Sequence, residues 1–439
     1  MGGVDARFRL LVSATGVSAY GNYLNLIALS LFAYEVTGTA LGVGAVMALR
    51  LGCGFVAGPA AGALTGRVAR RTVMICADLA QCTAMVTLAL FAGMAQLWLL
   101  GAVAMVLGAG NTFFHVALRS AIPAMVGQDD RARANGMLVV TRSGATVAGF
   151  ASAAPIIALG GYPLAFACNG ASFAVSAAVL LVLRPRTEDE TSEATGAANP
   201  GASEAGAGPS GGATARTGRL WWGATLPALL LGMIALRGVD ALASASHNVA
   251  LPLVAHATEP DRPALFMTRF WVAWAVGTVL AHLVLRRRRG ASAWGERAFA
   301  LGVCAMALAF TAAFLGLPWF ALMAAAAAAG FADGWTEIVY TSRLQAAPDR
   351  QRSRLFGLSA TAEQSGFALG TVAAAFALEA LPALTVVAAF HGVAVCGALA
   401  LLLVLAARGR PARAPKSASG DEGVDSHGTR TRAGAVPRS

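Results

Sequence analysis

The stretch Gly54–Asp78 reads GFVAGPAAGALTGRVARRTVMICAD, and its reading decides the fold. Its first part is apolar and carries Gly54, Gly58, Gly62 and Gly66. Four-residue spacing stacks these glycines on one helix face, where a second backbone could approach closely. A basic turn follows with Arg67, Arg70 and Arg71, and a new apolar run begins at once. Two membrane spans therefore meet at a tight, positive hairpin.

The rest of the chain has the same character. Of its 439 residues 57% are hydrophobic and 13% are charged, against about 25% charged in soluble domains. Apolar runs of about 20 residues recur along most of the length, as in an all-α integral membrane protein embedded in a lipid bilayer. Transmembrane strands would be shorter and would alternate. The net charge of +11 does not signal nucleic acid, because the basic residues sit in loops between apolar spans. Cys53, Cys76, Cys82, Cys168, Cys304 and Cys396 fall in predicted spans without a Cys-x-x-Cys pair, so inert buried thiols are expected. The first apolar run has no small-residue cleavage site and reads as a full span.

Twelve spans are predicted, near 10–34, 40–66, 72–94, 97–119, 136–158, 163–183, 224–251, 264–285, 294–315, 319–342, 355–378 and 383–406. Gly160-Gly161-Tyr162-Pro163 turns the fifth into the sixth. The segment 184–219 is rich in Ala, Gly, Ser, Thr, Glu and Pro and reads as a flexible linker. The expected organisation is a six-helix bundle over 1–183, the linker 184–219, a second six-helix bundle over 220–407, and a disordered tail over 408–439. A weak internal repeat supports two halves. Arg119, Pro123, Asp130-Arg131-Ala-Arg133 and Gly136 correspond to Arg343, Pro348, Asp349-Arg350-Gln-Arg352 and Gly357.

The basic turn resembles the signature loop of the major facilitator superfamily, Gly-x-Leu-x-Asp-Arg-x-Gly-Arg-Arg, with Gly62, Leu64, Arg67, Arg70 and Arg71 matching. Gly66 stands where the family has Asp, and Ala69 where it has Gly. Asp78 is either a stand-in for that Asp or a plain helix-end counter-ion. Further pieces resemble the group of macrolide and siderophore exporters. These are Phe8-Arg9-Leu10-Leu11, Tyr34-Glu35-Val36-Thr37-Gly38, Arg119-Ser-Ala-Ile-Pro123, Ala134-Asn135-Gly136 and Leu355-Phe356-Gly357. The resemblance implies the major facilitator fold and proton-coupled efflux of a small molecule, drug or secondary metabolite, by alternating access. An importer or facilitator, or a non-transporting scaffold or sensor of the same fold, remains an alternative. The expected protein is a monomer.

No phosphate-binding Gly-x-x-x-x-Gly-Lys-Ser/Thr loop, hydrolase elbow or metal-ligand cluster occurs, so no cofactor and no enzyme activity is expected. The six histidines are scattered in sequence and read as no site. The informative residues are polar groups inside spans, which must face the bundle interior or a wet cavity. Asn22 and Asn25 share a face of the first span, and Asn111 and His115 share one on the fourth. Arg50, Arg142, Arg237 and Gln364 complete the cavity candidates. The proton-coupling candidates are Asp333 and Glu337, then Asp240, then Glu363, with deep acids confined to the second half. Asp333 and Glu337 lie one turn apart, so two charges there would repel until Arg237 or Arg142 approached. These groups could equally be structural ion pairs, Arg237 with Asp240 above all.

By parity the arginine clusters at 67–71, 119–133, 286–289 and 343–354 lie on one side, and Arg262 alone flanks the other. This bias places both termini and 184–219 in the cytoplasm. A periplasm-active reporter fused within 190–210, or after residue 420, is predicted to stay inactive. Strong activity at either position would overturn the topology.

Overall fold

The computed structural model describes residues 6–65, 67–126, 131–183, 228–287 and 295–408. Among the described residues the protein is all-helical. The helices are α1 (Ala6–Thr37), α2 (Ala40–Thr65), α3 (Arg70–Leu90), α4 (Leu97–Val126), α5 (Arg131–Leu183), α6 (Ala228–Thr258), α7 (Pro263–Arg287), α8 (Glu296–Ala313), α9 (Trp319–Gln345), α10 (Asp349–Ala380) and α11 (Ala383–Arg408). The linker 184–219 and the tail beyond 408 lie outside the described residues, as does Gly66.

Helix α5 is two rods. Gly160 and Gly161 leave helical geometry, and Gly161 has φ +65°, which glycine adopts without penalty. Pro163 then opens the second rod at a position where its missing N–H costs nothing. The turn foreseen at 160–163 therefore exists, and twelve α-helical rods result among the described residues. Helices α1, α9 and α10 are not among those apolar enough to span on composition alone. Each carries polar groups within its length, Asn22 and Asn25 on α1, Asp333 and Glu337 on α9, and Glu363 and Gln364 on α10. Several ends differ from the sequence reading. Helix α4 runs through Pro123, α6 runs through Pro252, and α10 starts at Asp349 instead of 355. In α6 and α4 the proline removes one backbone bond while neighbouring helices hold the rod in place.

The rods form two bundles. Helices α1 to α5 pack together, α1 on α5, α2 on α4, and α3 on both α4 and α5. Helices α6 to α11 repeat the scheme, α6 on α10, α7 on α9, and α8 on α9 and α11. Glycines seal the equivalent crossings in both. A Cβ on Gly108 would strike the Arg50 carbonyl, and one on Gly330 the Trp274 carbonyl. On the other pair, Gly149 faces the Tyr20 carbonyl and Gly366 the Gly238 carbonyl. Lipid gives no hydrophobic drive for helix association, so such close approach supplies it through dispersion contacts.

Among the described residues the bundles meet at one end. A single core joins them there, with Leu31, Phe32 and Val43 beside Leu251, Phe266 and Ala375. Among the described residues two hydrogen bonds cross at this end. Glu379 accepts from Leu41 N–H at 2.9 Å, placing a carboxylate on the α2 N-terminus, and Thr268 Oγ1 accepts from Ala154 N–H at 3.1 Å. At the arginine-rich end each bundle keeps its own core, around Phe299 and Tyr340 in one and Met74 and Phe114 in the other.

The glycine stripe is corrected by this packing. Gly54 approaches Gly108 of α4, in its own bundle, but nothing lies within 4 Å of a Cβ at Gly58 or Gly62. The contact of α2 with the opposite bundle is at Gly44, against Ala375. Leu at Gly108 is therefore predicted to overpack the α2–α4 crossing, at a cost of about 1–3 kcal/mol or more. Melting of the purified proteins should show Gly108→Leu several degrees below wild type and Gly58→Leu unchanged. Equal effects of the two substitutions would contradict the assignment of the close crossing.

Candidate functional site

Two cavities open into the seam between the bundles and adjoin at Tyr23, Leu26, Arg50 and Asn111. The first, about 490 Å³, lies within the first bundle. It is lined by Asn22, Asn111, His115, Arg119, Arg142, Asp78 and Gln81 among others. The second, about 480 Å³, lies between the bundles. Tyr23, Phe150, Trp271, Trp274 and Phe310 give it an aromatic wall, and Arg50, Asn111, Asn248, His247 and Asp333 are its polar groups. Both volumes suit a drug-sized molecule.

Aromatic contacts carry the wall across the seam. Tyr23 meets Phe150 edge-on at 5.3 Å, Phe150 stacks on Trp271 at 5.4 Å, and Trp271 meets Trp274 at 5.5 Å. Arg142 Nε donates to Tyr23 Oη at 3.0 Å, tying α5 to α1. Arg50 and Asp333 have no ion-pair partner within 4.0 Å among the described residues.

The second bundle holds an ion cluster at its arginine-rich side. Arg237 on α6 bonds Glu337 of α9 at 2.6 Å and Glu363 of α10 at 2.9 Å, and it lies 3.6 Å from Asp240. The Arg237–Asp240 pair foreseen from their spacing is therefore one edge of a larger group. The crossing of α6 on α10 at Gly238 and Gly366 puts Arg237 beside Glu363. Tyr340 lies under the guanidinium, its centroid 5.8 Å from Cζ, and its hydroxyl donates to Ser359 at 2.7 Å. Glu337 is half exposed and Asp240 is buried, so one guanidinium links an accessible carboxylate to an inaccessible one. Asp333 and Glu337 share a face of α9 but part company: Glu337 joins Arg237, and Asp333 faces the cavity.

Several expected cavity residues sit elsewhere. Arg237 belongs to the ion cluster and not to either cavity wall. Asn25 is fully buried in packing, with neither amide atom partnered. Gln364 is exposed and lines neither cavity, and it lies about 100° around α10 from Glu363, away from the ion cluster. Asp78 is the largest correction. It is 1% exposed, lines the first cavity, and neither carboxylate oxygen has a hydrogen bond of good geometry. It forms no ion pair with the arginines of the basic turn among the described residues. Arg71 instead donates from Nε and Nη2 to the Leu180 and Leu181 carbonyls at 2.8 and 3.0 Å, closing the end of α5. Arg67 is exposed. A deep acid thus exists in the first bundle too, seven residues past Arg71, where the α3 pitch turns it inward.

The sequence reading also missed a histidine pair. His247 Nδ1 lies 3.2 Å from His391 Nε2, both rings buried, 144 residues apart. Asn248 Nδ2 donates to the Ser244 carbonyl at 2.9 Å and lies 3.3 Å from His247 Nε2. The contact between the rings needs one nitrogen to donate and the other to accept, and His391 Nδ1 has no hydrogen-bond partner among the described residues. Phe310 stacks on His247 at 3.7 Å. No local spacing signals such a pair. The one hint in the sequence is that both histidines fall inside apolar spans.

Comparison with known proteins adds the family. No curated protein sequence matches the chain. Solved structures of similar shape include the POT family transporter PepTSo, with TM-score 0.67, 12% identity, and coverage of 91% of this chain and 98% of that one. The nucleoside transporter NupG gives TM-score 0.62 at 12% identity, covering 90% and 99%. A bacterial homologue of the human lysosomal transporter Spinster, inward-facing and occupied, gives TM-score 0.64 at 12% identity, covering 91% and 96%. At such identities the likeness is one of fold. The profile of the Major Facilitator Superfamily matches residues 11–336, which takes in the basic turn, the first cavity, the second cavity except Phe367, and Arg237 and Asp240 of the ion cluster, and the chain belongs to that superfamily.

Proposed function

We propose that the chain is a proton-coupled exporter of a drug or secondary metabolite, working by alternating access as a monomer in the plasma membrane. The observation that carries this reading is the Arg237 cluster beside a cavity-facing Asp333. One guanidinium faces the three carboxylates of Asp240, Glu337 and Glu363, and the coupling proton is assigned to this cluster. Protonation of Glu337 or Glu363 would release one arm of Arg237 and loosen α6 from α9 or α10. Asp333 is the second station, because a proton there and a cationic group of the substrate exclude each other. Efflux rather than uptake rests on the resemblance of the Phe8–Leu11, Tyr34–Gly38 and Leu355–Gly357 pieces to macrolide and siderophore exporters. The cytoplasmic orientation of both termini and of a 184–219 linker between bundles rests on the arginine bias.

The alternating scheme needs the seam to open at each end in turn. The shared core and the Glu379–Leu41 bond hold one end, and the separate cores leave the arginine-rich end free to part. With the proposed orientation this is the inward-facing arrangement. Arg71 on the Leu180 and Leu181 carbonyls would keep the α3 and α5 ends moving as one body.

Asp333→Asn and Glu337→Gln remove titration while preserving size. Each is predicted to cut gradient-driven export from an amphipathic-drug and siderophore panel by at least roughly tenfold. Exchange of substrate without a gradient should persist in Glu337→Gln, because that mode needs no proton and Glu337 lines neither cavity. Full gradient-driven export by both variants would make the cluster purely structural. Uptake instead of export in everted vesicles would reverse the direction.

A further inference from the structure

Arg50 and Asp333 face the same cavity of about 480 Å³ without an ion-pair partner among the described residues. A charge held at mid-span without a partner is costly, so it is retained for something that pairs with it. The two charges come from equivalent places. Where α2 and α4 cross, Gly108 meets the carbonyl of Arg50; where α7 and α9 cross, Gly330 meets the carbonyl of Trp274. Three residues beyond each glycine stand Asn111 and Asp333, and all four side-chain bearers line the cavity. One bundle thus presents a guanidinium with an amide, and the other a carboxylate with an indole.

On the reading of this cavity as the transport site, we propose that its substrate is a zwitterion with a flat apolar body. The anionic group docks on Arg50 and Asn111, and the cationic group docks on Asp333 against Trp274. A neutral ligand leaves both charges unpaired. A simple cation satisfies Asp333 and is repelled by Arg50, and a simple anion does the reverse. A carboxylate suits the guanidinium fork, and an ammonium suits a carboxylate flanked by an indole face. The body lies on Phe150 and Trp271, which stack across the seam at 5.4 Å. Because each bundle grips one end, the bound zwitterion bridges them. In its absence Arg50 and Asp333 can serve as each other's partner when the cavity narrows.

Two matched trios test this by calorimetric titration of the full-length protein in nanodiscs. One is norfloxacin, its ethyl ester with the cation only, and its N-acetyl derivative with the anion only. The other is tryptophan, its methyl ester and N-acetyltryptophan. In at least one trio the zwitterion should bind about tenfold or more tighter than either singly charged relative, a difference of about 1.4 kcal/mol. Arg50→Gln should abolish the advantage over the ester, and Asp333→Asn the advantage over the N-acetyl compound. Arg50→Lys should restore part of the first, which separates lost charge from misfolding. A singly charged member binding as tightly as the zwitterion in both trios would overturn the proposal. So would the absence of binding by every member at millimolar concentration. Export of an ester without its zwitterion would remove the zwitterion and leave the transport reading standing. Gradient-independent silence of every compound in flux assays would instead count against transport.

Discussion

Backbone-to-backbone contact at glycine crossings is the constraint on which the rest depends. In a bilayer, apolar side chains gain little by leaving lipid for protein, so helices associate where their backbones fit. Gly108, Gly149, Gly330 and Gly366 each meet a carbonyl of the facing helix, and no side chain larger than hydrogen fits. These four contacts fix which residues reach the seam. Arg50 and Asn111 arrive with the first crossing, Trp274 and Asp333 with its counterpart, and Arg237 with Glu363 at the crossing of α6 and α10. The charged groups therefore occupy positions dictated by packing of uncharged ones.

The same packing divides the seam into unlike ends. At the end bearing Gly38 and Glu259 the cores merge, and Glu379 from the second bundle sits on the N-terminus of α2. Tyr34 of α1 packs on His256 of α6 there, at 4.8 Å between ring centroids. At the other end the bundles are stabilised separately, each by its own buried cluster. Such an arrangement allows rigid-body rocking, because neither bundle needs the other to remain folded at that end. The ion cluster joins α6, α9 and α10 at that end, where a change in its charge can be felt by three helices at once.

Much of this was legible in the chain. The number of helical rods, the break at Gly160–Gly161, the α9 acids on one face and the Arg237–Asp240 neighbourhood follow from helical periodicity, which local sequence carries. What failed was the partner of each face. Gly54, Gly58 and Gly62 share a stripe, yet only Gly54 meets another backbone, and beyond it the buried residues of α2 are Ala57 and Ala61. Asp78 read as a span-end residue, but the pitch of α3 turns it into the cavity. Glu379 lies at the end of its helix and clasps the opposite bundle, a contact that no local pattern encodes. The pairing of His247 with His391 joins α6 to α11, and no short-range pattern encodes it. Long-range contact depends on how bundles close, which one sequence does not spell out.

The central claim is that charge at the Arg237 cluster governs whether the arginine-rich end stands open. It is tested most directly by electron–electron resonance distances across that end. Spin labels at the exposed positions Val140 of α5 and Leu358 of α10 report the gap, in a background with the six cysteines replaced. The account predicts that lowering the pH changes the relative weights of a long and a short distance, and that Glu337→Gln locks the weights at all pH values. A single distance, unmoved by pH in the wild type, or an unchanged pH response in Glu337→Gln, would contradict it.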